Sequence, residues 1–307
     1  IETAKLTLKD SSKGFIPALI ELNKIKTAGL QLEKVQAHFN ISPKQIDLVD
    51  GRIFPKNGQL KLAGNFLPSS GAYRLRFQGD KLKVEDFTQK LAGPLNLQGK
   101  LTGTLPENST GFPDIAKELS GEVKINLADG TLTELGPVMK TVLSLLNPTT
   151  AIQTTKAGMS YESLGGDFKI VKGLVKTDNF DMESPQINLQ VVGEANIGTD
   201  TIKAQVKAMP LQMLDKTIKA IPLLGNILTG GKKGGIIETY FKVDGKLSAP
   251  TFTAQPHKSL TEKPGNILKE LIRIPESLTN NQIPLLQPFK AFQVFPKLRN
   301  IGIFFKD

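Results

Sequence analysis

Leu119-Ser-Gly-Glu-Val-Lys-Ile-Asn-Leu-Ala-Asp-Gly-Thr-Leu132 opens the stretch that decides the fold, which runs on to Pro256. It continues through Gly166-Asp-Phe-Lys-Ile-Val-Lys-Gly-Leu-Val-Lys-Thr-Asp-Asn-Phe180 and Ser184-Pro-Gln-Ile-Asn-Leu-Gln-Val-Val-Gly193, and closes on Tyr240-Phe-Lys-Val-Asp-Gly-Lys-Leu-Ser-Ala-Pro250. Apolar and polar residues alternate in nearly every segment, and nearly every segment stops at a glycine. Side chains along a strand point alternately to opposite faces. The pattern therefore predicts a run of strands, each greasy on one face and wet on the other.

Working upstream, the same code recurs. Leu30 to Ile41 is apolar at 30, 32, 35, 37, 39 and 41, and the phase slip near Lys34 predicts a bulge. Asp50-Gly51, Asp129-Gly130, Gly165-Gly166, Lys172-Gly173 and the loop around Gly198-Thr-Asp200 read as turns. Leu95, Leu97, Gly99, Leu101, Gly103 and Leu105 form one long strand, and Val84 to Leu91 reads as a short helix or loop. An apolar-x-apolar-x-Gly unit repeats at 60–64, 95–99 and 241–245. Repeated units that cannot bury their faces alone argue for an elongated, stacked β structure.

A helical period interrupts the strands in a few places. Phe15, Ile16, Leu19, Ile20 and Leu22 suit one face of a short helix, with Pro17 in its first turn. Leu135 to Leu146 is amphipathic and ends at Asn147-Pro148, and Leu211 to Leu228 is a second such region, broken at Pro222. Both longer segments are suited to capping one end of the sheet or covering an exposed edge. Three parts result: a β repeat region over 1–118, a β domain with capping helices over 119–256, and a tail over 257–307.

Composition narrows the function classes. The chain has 307 residues, is 39% hydrophobic, and carries a net charge of +10. A basic balance suits anionic partners, although Lys alternating with apolar residues, as in Leu60-Lys-Leu62, also describes the wet face of a sheet. The absence of Cys excludes disulfides, thiol catalysis and thiolate metal sites. No apolar run reaches the roughly 18 residues of a membrane-spanning helix. The chain opens at Ile1 just before a strand, which reads as a piece of a longer protein with any anchor or export signal upstream. Neither of the 2 His residues, His38 and His257, sits in a catalytic constellation, and the visible carboxylate pairs lack ligand spacing. Gly230-Gly-Lys-Lys-Gly-Gly235 lacks the spacing of a phosphate loop. The expectation is a non-enzyme with no cofactor, no metal and no catalytic residues.

Four segments carry a family resemblance. They are Gly29-Leu-Gln-Leu-Glu-Lys-Val35 with Asp50-Gly51 and Gly58 to Gly64; Leu119 to Leu132; Gly166 to Pro185; and Val243-Asp-Gly-Lys-Leu-Ser-Ala-Pro-Thr-Phe252. Together they resemble the C-terminal region of the AsmA-like proteins of Gram-negative bacteria. The resemblance implies a mainly β fold, an elongated and curved antiparallel sheet forming a taco-like apolar groove with a few short capping helices. It also implies residence in the periplasm, an inner-membrane anchor, and bridge-like transfer of phospholipid towards the outer membrane. The quoted motifs punctuate a sheet, so they speak to fold more directly than to role.

The residues themselves are compatible with that role, because acyl chains need a dry surface and headgroups need water. The expected lining is Leu60, Leu62, Phe66, Leu75, Phe77, Leu95, Leu97, Leu101, Val123, Ile125, Leu127, Ile187, Leu189, Val191, Ala204, Val206, Phe241 and Val243. The same residues also suit an ordinary core. In the tail, Ile267, Leu268, Leu271 and Ile272 share a helix face, and Phe289, Phe292, Phe295, Phe304 and Phe305 are interleaved with basic residues. That mixture suits docking on a membrane or an envelope protein partner, or folding back on the chain, ahead of nucleic acid. An envelope scaffold or tether that assists outer-membrane assembly without carrying lipid is the alternative reading.

Overall fold

A computed structural model describes residues 1–11, 14–27, 30–106, 112–133, 158–210 and 238–255. The first group of strands is Thr3–Leu8 (β1), Ile16–Thr27 (β2), Leu30–Ile41 (β3), Ile46–Phe54 (β4), Gln59–Leu67 (β5) and Ala72–Asp80 (β6). Two short pieces, Leu82–Lys83 (β7) and Leu91–Ala92 (β8), flank a 3-10 turn at Val84–Asp86. Pro94–Thr104 (β9) follows, then the one α-helix among the described residues, Phe112–Glu118 (α1). The rest are Ser120–Leu132 (β10), Met159–Val171 (β11), Leu174–Glu183 (β12), Ile187–Asn196 (β13), Thr201–Pro210 (β14), Thr239–Lys246 (β15) and Ala249–Gln255 (β16).

All of them join one curved, open, antiparallel sheet of 16 strands in the order β1-β2-β3-β4-β5-β6-β9-β10-β11-β12-β13-β14-β15-β16, with β7 beside β9 and β8 beside β10. Apart from the short β7 and β8, it is a meander. The strands on either side of residue 118 are hydrogen-bonded neighbours, with Leu101 opposite Gly121 and Leu97 opposite Ile125. At about 4.8 Å per strand the sheet extends roughly 60 Å across its strands.

Several expected turns lie inside strands. Asp50-Gly51 falls within β4, where an extra residue shifts the register against both neighbours. The phase slip expected near Lys34 is present at Glu33, where β2 and β3 change face together, and the β4 irregularity opposite His38 and Phe39 is a separate one. Gly165-Gly166 falls within β11, next to a register shift against β12. Asp129-Gly130 falls within β10, with Asp129 at φ 45. By contrast, Lys172-Gly173 turns between β11 and β12, and Gly198 to Asp200 between β13 and β14. The helix expected from Phe15 to Leu22 is β2. Its apolar residues Ile16, Ala18, Ile20 and Leu22 follow a strand period, and Pro17 lies near the strand start, where β1 is ending. The stretch Val84 to Leu91 is the 3-10 turn leading to β8, and the connection before β10 carries α1.

In two places a pair of strands changes face together. Lys24 (φ 49) and Glu33 are skipped in the otherwise unbroken β2–β3 register, as are Asp129 and Glu162 in β10–β11. Beyond each skip the inward-facing positions change parity: buried Leu30 and Leu32 against half-buried Val35, and buried Tyr161 and Met159 against buried Leu164. Because both strands flip at once, the apolar face continues through the kink. The segments read as amphipathic helices at 135–146 and 211–228 lie outside the described residues, as does the whole tail with Ile267, Leu268, Leu271, Ile272 and its five Phe positions.

Candidate functional site: an uncharged inner face

The register fixes which residues share a face. Starting from Leu62 it runs through Phe77, Gly99, Val123 and Phe168 to Thr177, Gly193, Ala204, Val243 and Phe252. Thr177 joins that row by its register with Gly193. Every residue of the expected lining lies on this same face. In the described strands the register places no Lys, Arg, Asp or Glu on it. The opposite face holds the charges, many in cross-strand pairs such as Lys100–Glu122 at 3.0 Å, Lys124–Asp167 at 3.5 Å and Lys176–Glu194 at 3.0 Å.

Burial divides the expected lining in two. Leu60, Leu62, Phe77, Leu95, Leu101, Val123, Leu127, Ile187, Leu189, Ala204, Val206, Phe241 and Val243 are buried, and they form one continuous apolar cluster from β5 to β15. Phe66, Leu75, Leu97, Ile125 and Val191 are half-buried, and these carry the accessible part of the face. On the β1 side the face is open: Leu6, Leu8 and Ile16 are exposed.

Sequence reading missed two features of this face. The first is the pairing of aromatic rings with glycines on neighbouring strands. A Cβ on Gly99 would lie 2.6 Å from the Phe77 ring, and one on Gly103 would lie 2.6 Å from the Tyr73 hydroxyl. Tyr161 covers Gly130 in the same way. Glycine in a strand leaves a bare patch of backbone, and an aromatic ring from the next strand fills it. Part of the signal was present in the repeat, whose glycines Gly64, Gly99 and Gly245 all lie inside strands, with Gly99 answering a neighbour's ring.

The second is a strap, residues 81–93, that crosses one rim of the sheet. Its Leu82 and Val84 are buried in the main cluster, with Phe87 and Leu91 packed against it. Phe87 also packs against the smaller cluster of Ile25, Leu30 and Leu32. Polar bonds fasten the strap at each end. Asp86 accepts from the Asn57 amide N–H (2.7 Å) and side-chain amide (3.1 Å). The Thr133 N–H donates to the Lys90 carbonyl (3.0 Å), and the Tyr161 hydroxyl donates to the Ala92 carbonyl (2.8 Å). Burial, with Glu85 nearby, pushes the Tyr161 phenol up to about 12, so it remains a donor. The strap thus closes the rim where β5, β6, β9, β10 and β11 end. Among the described residues no group of three or more His, Asp and Glu could hold a metal ion.

Comparison with known proteins gives a family. The family profile described as YhdP protein matches residues 3–252, so the chain belongs to that family, which is AsmA-like. No curated protein and no solved structure matches the chain.

Proposed function

We propose that this member of the YhdP protein family is a periplasmic, bridge-like lipid carrier, whose inner face conducts phospholipid acyl chains between the inner and outer membranes. The observation that carries the reading is the uncharged face itself, continuous across the described strands and flanked by a charged outer face. Membership of an AsmA-like family supports a role at the cell envelope. The dimensions agree. From Leu95 to Leu101 the apolar part of β9 is roughly 20 Å long at about 3.3 Å per residue, while one leaflet's acyl layer is about 15 Å, half of a hydrocarbon core of about 30 Å. At about 0.8 kcal/mol per buried CH₂, acyl chains supply their own affinity, and no polar constellation is needed. In this reading the carrier is no enzyme, needs no cofactor, and is tethered to the inner membrane in the full-length protein.

The complete burial of Ile187, Ala208 and Phe241 favours a second reading, in which the chain's own side chains fill the face and the protein is an envelope scaffold. Mass spectrometry of lipid extracted from the purified chain separates the two. The carrier reading expects about one or more phospholipids per chain, lost in Leu97→Asp while the circular dichroism spectrum is unchanged. A folded, lipid-free wild-type chain would overturn it in favour of the scaffold.

A further inference from the structure

The inner face carries two tyrosines, and they differ in one respect. The Tyr161 hydroxyl is satisfied by the Ala92 carbonyl at 2.8 Å. Tyr73 lies opposite Phe66 on β5 and opposite Gly103 on β9, with its hydroxyl over the glycine. Its hydroxyl makes no hydrogen bond among the described residues, and the residue is only half-buried. Thr239 Oγ1 is the one sealed-off side-chain polar atom without a partner among the described residues, so the Tyr73 hydroxyl is open to an incoming acceptor. Burial raises the Tyr73 phenol to about 12, so the group presents a proton to an acceptor across the ordinary pH range.

Position says which part of a ligand would reach it. The strap seals one rim of the face, where Leu82 covers Gly79 at the end of β6. Tyr73 stands at the other end of β6, near the opposite rim. The distance from Tyr73 to Gly79 along the strand is roughly 20 Å, which accommodates an acyl layer of about 15 Å. A tyrosine with an apolar ring and a wet tip suits the boundary between hydrocarbon and headgroup.

We infer that, in the lipid-carrying reading on which this rests, acyl chains lie on the inner face with their methyl ends towards the strap, and that the Tyr73 hydroxyl donates to an ester or phosphate oxygen at the polar end. Tyr73→Phe removes only the hydroxyl and leaves the ring over Gly103. The full chain and this variant are titrated with three fluorescent probes: a phosphatidylglycerol, a diacylglycerol, and an alkane lacking oxygen. The variant is expected to bind phosphatidylglycerol about 3- to 10-fold more weakly, the range of one net hydrogen bond, with alkane binding unchanged. Diacylglycerol binding that weakens in parallel assigns the acceptor to the ester; if it is unchanged, the acceptor is the phosphate. Equal loss for all three probes would make Tyr73 merely structural, and no loss for either oxygen-bearing probe would leave it no role. A wild-type chain that binds none of the three would overturn the carrier reading itself.

Discussion

The β1–β2 edge of the sheet and the β14–β15 region follow the same alternating code and end in opposite conditions. On β1, Leu6 and Leu8 face inward by register with Ile20 and Ala18, yet Leu8 is 60% exposed. On β14 and β15, Val206 and Phe241 face inward as partners, and Phe241 is 0% exposed. Alternation therefore selects the face a side chain occupies. What lies over that face decides its burial, and hence whether it acts as core or as accessible surface.

Charge substitutions test that contrast most sharply. Phe241→Asp would bury an unpaired carboxylate in the space of a ring, and should lower stability by about 4 kcal/mol or more, read as a collapse of the denaturant midpoint. A well-folded Phe241→Asp chain would mean that the β14–β15 face is as accessible as that of β1. Between the two regions, Gly99→Val forces side-chain atoms into the Phe77 ring, and overpacking of this kind costs about 1–3 kcal/mol. An unchanged melting temperature there would remove the ring-over-glycine account of the repeat. Asp86→Ala deletes the bonds from Asn57, leaves a backbone N–H unpaired, and should cost about 1–2 kcal/mol. Its sharper readout is limited proteolysis, with cleavage expected within 81–93 before the strands are cut. At the open end, Leu8→Asp should stay within about 0.5 kcal/mol of wild type in urea titration, like other surface changes. A large loss at that position would show the β1 face to be covered.

The smallest effect depends on pH and lies on the outer face. Burial first, and then neighbouring Glu183, hold the Asp181 carboxyl above its usual range. A raised carboxyl pKa means that the fold favours the protonated form, so stability declines as pH climbs from the ordinary 3.8 through the raised value, and is flat above it. Asp181→Asn should therefore raise the melting temperature slightly at neutral pH, and the gain should vanish below the ordinary value. A gain that persists in acid would rule out the charge as its source.

Which residues face inward was legible in the sequence because period-two alternation survives any detail of the turns. Where the chain turns was less so. Asp50-Gly51 and Asp129-Gly130 have turn chemistry, yet each lies in a strand at a local irregularity, where the same backbone freedom serves a bulge or a kink. β2 was misread because Phe15 and Leu19 add apolar residues on its outer side, and a short run that is greasy on both faces fits a helix as well as a strand. The strap and Tyr73 were harder still. Their meaning comes from contacts between residues far apart in sequence, Asn57 with Asp86 and Tyr73 with Gly103, which no local pattern announces.

The meander has a consequence for how such a chain changes length. Apart from the strap with β7 and β8, each connection returns the next strand alongside the last, so a hairpin inserted at such a turn adds two strands without rerouting a neighbour. The reach of the sheet then grows in steps of about 10 Å, twice the strand spacing, while its width stays set by strand length. Duplication of one short segment is enough to span a wider gap.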